Sequence, residues 1–531
     1  MPRLPQIHDH PLDVATCAAL LLALAALTLL ASPARSPFVR IGKSWPSSLL
    51  SGRYASTFTM EKQMQEGYTK VITNSQRPFV MKFWALDYVF LPAKYLVDVK
   101  RADTQTLNFM ENISEAFSLY ASVGDLYSSD LMADVVRRGI NTRLPKVVSL
   151  LSEECDYAFG EEIGSSTEWT TFTAATLLGN IMHRTTSRIL IGPELCRSES
   201  FIRTSMTFAN SIFVNGLLLS MLPLGPFRRV ASQMLSVFHR RNLRKAMQIV
   251  LPLVEARFEE FQTRSVRPRR NDWMHREGHG CVDAIEWSLE LSKDLHVKDH
   301  NPRRIALSLL HNLWAGSAAP GGLVTQMVFQ VLLEPPSKYL TPLRLEAEKV
   351  IGLHGRTDKA LSSMPLMDSF IREINRLYPT GSATCARTVM DPRGFTFHDG
   401  LKLPSGTRIA IPVLSIQTDP ENFTDPLAFD GFRFAQLGEG LFDDTGDWKW
   451  GAATVSETNL AFGFGKHSCT GRFYAIRKAK LIFSKLILEY ELQWAGDAPK
   501  AMPSRLSYGK SHGESQNDTI LVREQWQSIP S

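Results

Sequence analysis

The stretch FGFGKHSCTGRFYA, Phe462–Ala475, gathers the residue types from which a reactive or metal-binding cysteine is built. Gly463 and Gly465 permit a tight turn and a close backbone approach to a flat partner. Cys469 comes where the loop turns into a predicted helix. Free amides and the positive end of the helix dipole there favour a thiolate over a thiol. Lys466, His467 and Arg472 add positive charge around it. A thiolate so placed is a nucleophile or a metal ligand. A nucleophile needs a base nearby, and His467 is the candidate. A merely buried structural cysteine explains neither the glycines nor the charges. The other five cysteines, at 17, 155, 196, 281 and 385, form no C-x-x-C pair with one another or with Cys469. That argues against structural zinc and against a dense disulfide framework.

The same stretch resembles the haem-binding loop of the cytochrome P450 superfamily: Phe, Gly, any, Gly, any, His or Arg, any, Cys, any, Gly. Phe462, Gly463, Gly465, His467, Cys469 and Gly471 fill every defining position. Upstream, EINR supplies Glu373 and Arg376, similar to the family's E-x-x-R pair. FDGFRF supplies Arg433, similar to the arginine that locks that pair. E-x-x-R alone is weak evidence, since most such spacings are surface helix pairs; its order before the cysteine loop is what counts. RTTSRILIGPELCRSESF and LPAKYLVDVKRAD look like filamentous-fungal members that oxidise terpenoids and related secondary metabolites. The resemblance implies a mainly α fold with small β-sheets and a b-type haem whose iron takes Cys469 as its proximal ligand. A thiolate ligand favours O–O cleavage. His467 is expected at a haem propionate, Phe462 over the ring, and Arg387 as a further propionate candidate. No Trp-x-x-x-Arg is found in the region that clamps the other propionate in the family; Arg138 and Arg143 are the stand-ins on offer.

On the oxygen side, family members carry a small pair, an acid and a threonine on one long helix. The best alignment here is Ala315, Gly316, Ser317, Ala318 and Ala319, so alanines stand at the acid and threonine positions. Pro320 lacks the amide that bonds the carbonyl four residues earlier, Gly316. The expectation is a kinked helix with an open carbonyl at Gly316. That carbonyl and the Ser317 hydroxyl would hold a water in place of the missing relay. Ser317 can equally back-bond to its own helix. The leading reading is a monooxygenase acting on an apolar polycyclic substrate. The alternatives are a rearranging or dehydrating enzyme of the same fold that needs no reductase, and a non-catalytic haem-binding protein.

The elements that must hold these residues follow from the rest of the chain. With 44% hydrophobic and 21% charged residues, a large core is affordable and global disorder is excluded. A net charge of +6 on 531 residues gives no case for nucleic acid. Helical periodicity runs from about residue 100 to 375; short strand-like runs broken by Gly and Pro follow to about 435, and a helix returns after Cys469. FANSIFVNGLLLSMLPLGPF is apolar enough to wall a pocket or to dip into a membrane surface. At the N-terminus, residues 1–13 read as a short luminal segment, 14–32 as a transmembrane anchor, 33–47 as a Pro-containing linker and 48–531 as the catalytic domain. The anchor lacks charge, and Arg35, Arg40 and Lys43 follow it, which puts the catalytic domain on the cytosolic side of the endoplasmic reticulum. A cleaved signal peptide is the competing reading; only then would the sequons at Asn112, Asn422 and Asn517 matter. No G-x-G-x-x-G unit is present, so electrons must come from an NADPH-dependent reductase. Lys466, Arg472, Arg477, Lys478 and Lys480 are its expected basic dock.

Overall fold

The computed structural model describes residues 36–42, 60–165, 167–221, 228–266, 283–436, 450–503 and 518–524. The expected anchor at 14–32 lies outside the described residues, as do residues 437–449 of the stretch between Phe434 and Phe462. Among the described residues no helix is long and apolar enough to cross a membrane.

Helices dominate. Four of them form a bundle: α1 (Leu144–Glu162), α2 (Ala174–Leu190), α5 (Pro302–Leu332) and α7 (Arg472–Glu489). Both α2 and α7 pack against α1 and against α5. Two further helices, α3 (Glu199–Met221) and α4 (Val237–Val266), pair with each other, and α4 lies along α5. Small residues set the crossing of α2 and α5. A Cβ on Gly321 would stand 3.5 Å from the Gly179 Cα, so the two backbones are nearly in contact. The start of α5 is set by Asn301, whose side chain accepts from the Arg303 and Arg304 amides, with Pro302 in the first turn.

The sheet elements are small. A six-stranded sheet uses β1 (Val39–Arg40), β2 (Phe79–Phe83), β3 (Leu86–Phe90), β4 (Leu107–Asn108), β5 (Thr384–Val389) and β6 (Arg408–Ile411), ordered β1-β2-β3-β6-β5-β4. Part of the expected linker is therefore a strand: Val39 and Arg40 pair in parallel with Phe79 and Val80. Between β5 and β6 the register shifts between Thr384 and Arg387, where Cys385 has φ +51°. Such an irregularity bends a strand and re-aims its side chains. A three-stranded sheet joins Tyr490–Trp494, Thr519–Glu524 and Thr170–Thr173. Asn112 is buried, accepting from the Tyr88 hydroxyl at 3.0 Å and donating to Thr388. A glycan has no room there.

The helix α6 (Pro365–Leu377) carries the Glu373–Arg376 pair, and the whole C-terminal third is hung on it. Both side chains are buried. Arg376 meets Glu373 through two donors, Nε at 2.7 Å and Nη2 at 2.8 Å. Its Nη1 donates to the carbonyls of Gln417 and Pro426. Arg433 donates to Glu373 Oε1 at 3.2 Å and to the carbonyls of Thr424 and Ala428. The Asp430 amide also donates to that carboxylate, at 3.0 Å. All five Arg376 N–H groups thus have acceptors and both Glu373 oxygens have donors, the condition under which a buried ion pair is tolerable. Truncating one member leaves the other charge stranded. Arg376→Ala is expected to cost about 3–5 kcal/mol; a loss under about 1 kcal/mol in urea unfolding contradicts this account of the fold.

Candidate active site

The loop before α7 folds as its glycines dictate. Gly463 has φ +75° and Gly465 φ +72°, the left-handed region that favours glycine. At Gly465 there is a second reason: a Cβ would sit 2.5 Å from the Lys100 Cα. The loop closes on itself where the Cys469 amide donates to the Phe462 carbonyl at 2.8 Å. The amides of Gly471 and Arg472 turn towards the Cys469 sulfur. The sulfur is crowded by protein on most sides, yet Cys469 is exposed, whereas Cys155, Cys196 and Cys385 are buried. A residue that is both deep and accessible lines an internal hollow. Burial pushes its thiol above the usual range, with the two amides and Arg472 pulling the other way. The dipole argument from sequence therefore loses to desolvation in the bare protein; a cation at the sulfur is what would settle the thiolate.

Gln417 ties this loop to α6, and nothing in the sequence singled it out. It is fully buried; its Nε2 donates to the Asn375 and Arg376 carbonyls, and its Oε1 accepts from the Leu460 amide at 2.8 Å. One amide side chain thus joins the end of the E-x-x-R helix to the entry of the cysteine loop.

Positive charge converges beside the loop, with the exposed Asp103 and the Arg137 partner Asp134 as the carboxylates near it. Arg387, on β5, is buried and makes one hydrogen bond, to the Ala386 carbonyl, while its Nε and Nη2 are unpartnered. Burial pushes its guanidinium down to about 10. The Nε2 of His467 is also buried and unpartnered. Burial, then the nearby Arg387, holds the imidazole down to about 4, so it is neutral at neutral pH. Arg137 adds its charge to the same spot, although it also pairs with Asp134 at 3.4 Å. It sits in the π-helical turn Val135–Ile140 and was missed because the sequence search demanded a tryptophan before it. Of the stand-ins, Arg143 bonds the carbonyls of Arg138 and Gly139 and faces the Trp287 ring, and Arg138 shares Asp134 with Arg137; of these three only Arg137 acts on His467. Buried guanidinium donors left open fit a ligand that brings carboxylates of its own.

The helix α5 is 31 residues long with Pro320 inside it, and it departs from the sequence expectation in two ways. First, the Gly316 carbonyl is not open: the Lys478 Nζ donates to it at 2.8 Å, and the Thr186 hydroxyl stands at 3.3 Å. Second, Ser317 is buried and its hydroxyl donates to the Leu313 carbonyl at 2.7 Å, the back-bonding alternative. At 3.6 residues per turn Ser317 points away from Ala315, Ala318, Ala319 and Gly322. Those four form the accessible stripe in a helix otherwise buried over this stretch, with only Gly316 beside them partly open. Neither Ser317 nor a water on Gly316 can therefore stand in for the acid and threonine.

The expected basic dock is corrected as well. Lys478 and Lys480 are fully buried, Lys480 against Asp368 at 2.7 Å. Arg477 pairs with Asp358 at 2.7 Å. Arg472 donates to the carbonyls of Ala453 and Cys469. Of the five, Lys466 alone is exposed. The charges sit on α7, which is covered on nearly every side, so their sequence density says nothing of the surface.

Comparison with known proteins identifies the family. The cytochrome P450 family model matches residues 131–513. A cytochrome P450 monooxygenase, sirB, of Leptosphaeria maculans is 36% identical over 458 residues, covering 86% of this chain and 85% of that protein. The ent-kaurene oxidase P450-4 of Gibberella fujikuroi is 25% identical over 440 residues, covering 81% of each chain. The monooxygenase ntnM of a Nectria species is 28% identical over 454 residues, covering 84% of this chain and 81% of its own. The chain belongs to the cytochrome P450 family, the monooxygenases whose haem iron is held by a cysteine thiolate.

Proposed function

We propose that the chain oxidises an apolar, polycyclic secondary metabolite, using O2 and electrons from an NADPH-dependent reductase, with Cys469 as the iron's thiolate. The observation that carries the assignment is the pairing of an accessible, amide-cradled Cys469 with the unmatched donors of Arg387 and His467. When bound, the haem supplies O2 activation. The chain's own residues do the rest. The amides of Gly471 and Arg472 hold charge on sulfur. Arg387, His467 and Arg137 would hold the propionates. Phe462, half-buried at the loop's mouth, would pack against the ring. Ala315, Ala318, Ala319 and Gly322 leave room for oxygen and substrate between α5 and the cysteine loop. The names of the similar proteins, monooxygenases and an ent-kaurene oxidase, support an apolar small-molecule substrate. An anchor at 14–32, with the catalytic domain on the cytosolic side of the endoplasmic reticulum, would bring the reductase into the same membrane.

One observation favours a second reading. The stripe Ala315, Ala318, Ala319, Gly322 offers no acid and no hydroxyl, so proton delivery falls to water or to a hydroxyl on the substrate. An enzyme of this fold that rearranges or dehydrates an oxygenated substrate needs no such relay. Turnover separates the two: product formation that stops without NADPH or without O2 supports the monooxygenase, and product formed without both supports the second reading.

Cys469→Ser is expected to abolish the thiolate-type absorption band of the reduced, CO-treated protein; a parent protein that lacks this band defeats the haem-thiolate assignment. Docking at the proximal face now rests on Lys466 with Lys100, both exposed beside the loop. Lys466→Glu is expected to raise the reductase concentration needed for half-maximal turnover about three- to tenfold at low salt, with the CO band unchanged. Equal titration curves for parent and variant put the dock elsewhere.

A further inference from the structure

Pro320 deprives the Gly316 carbonyl of its donor, and the structure puts another donor in its place. Lys478 lies in the middle of α7 and is fully buried. Its Nζ is 2.8 Å from the Gly316 carbonyl and also bonds the Thr186 hydroxyl on α2. Among the described residues it has no carboxylate partner, and burial holds its amine well below the usual lysine range. The Tyr474 ring covers it at 4.5 Å. Thr186 is not an equal substitute. Its one hydroxyl proton goes to the Met182 carbonyl at 2.6 Å, against 3.3 Å to Gly316. Lys478 is then the donor that Gly316 uses. A helix carbonyl stripped of its amide and buried without a replacement costs the full desolvation of that group. The usual response is a kink or an inserted water; here a side-chain amine meets the carbonyl instead of a water, and α5 is one helix with Pro320 inside it.

We propose that Lys478 is a positioning residue: its amine replaces the peptide N–H missing at Pro320 and so fixes the accessible face of α5 relative to α7. Because α7 begins three residues after Cys469, with Arg472, this contact also ties the distal wall to the cysteine side. The mechanical part stands on these contacts alone. Its consequence for catalysis rests on the proposed monooxygenase reading. With no acid or alcohol on the stripe, proton delivery depends on where α5 stands, and a shifted helix wastes electrons.

The test is a rescue. Amide hydrogen exchange across residues 309–324 is followed in the purified haem-loaded protein for the parent, Lys478→Met, Pro320→Ala and the double variant. Lys478→Met keeps the side-chain bulk but loses the donor, and exchange in this segment is expected to rise about tenfold. Pro320→Ala gives Gly316 its own backbone donor, so the double variant should return to within about twofold of Pro320→Ala. If Lys478→Met alone does not fold and the double variant does, that is the same rescue. Unchanged exchange in Lys478→Met, or a double variant as labile as the single, overturns the proposal. In parallel, product formed per NADPH oxidised should fall in Lys478→Met and recover in the double variant. An unchanged ratio with altered exchange removes the catalytic consequence. The monooxygenase reading itself stands or falls separately, on Cys469→Ser and the NADPH requirement.

Discussion

The buried pair of Glu373 and Arg376 is the constraint on which the proximal side depends. Two charges inside a protein are stable only when every donor and acceptor around them is met. Here that demand is met by chain from far downstream: carbonyls at 417, 424, 426 and 428, an amide at 430 and the Arg433 guanidinium. A meandering segment with little regular structure is thereby forced into one path. Gln417 extends the same logic to the Leu460 amide, so the cysteine loop enters at a fixed point. The electrostatics of one helix turn thus set the geometry of a loop ninety-odd residues away.

On the opposite wall the organising force is packing at small residues. Gly179 and Gly321 bring α2 and α5 together, and Gly316 lets the Thr186 methyl approach, its Cβ position being 3.1 Å from that carbon. Close approach carries a polar obligation. It brings a helix carbonyl that lacks its own amide into a dry bundle, and a lysine with no counter-charge meets it. Burial holds that amine well below the usual lysine range, and its N–H groups can donate in either protonation state.

Much of the proximal site was legible in the sequence because it is local. Positive-φ glycines, a cysteine at a helix start and an E-x-x-R pair are patterns within one turn or one loop. What was not legible is what depends on chain segments meeting. Gln417 is an ordinary glutamine at the end of the short helix Val413–Gln417 until Leu460 and Asn375 flank it. Arg137 lies in a π-helical turn, which shifts the register on which any fixed spacing relies. The lysines of α7 looked like a charged surface; two of them serve as buried donors, because that helix is enclosed by the bundle. That Pro320 leaves the Gly316 carbonyl without a backbone amide follows from sequence, but the expected water site does not form: the group that fills it comes from 158 positions beyond that proline, too far for any local rule. Ser317 faces the wrong way by simple helical phase, a check that the sequence itself allows.

One helix, α7, carries the cysteine loop at its mouth and Lys478 two turns further in. Both walls of the hollow are therefore mounted on a single rigid rod, much as two jaws are set by one gauge block. The width of the slot is a property of helix pitch and of one side-chain length, not of the loops around it. Surface segments such as the far end of α3, where Val214 and Leu218 are exposed, can drift in sequence without altering that width.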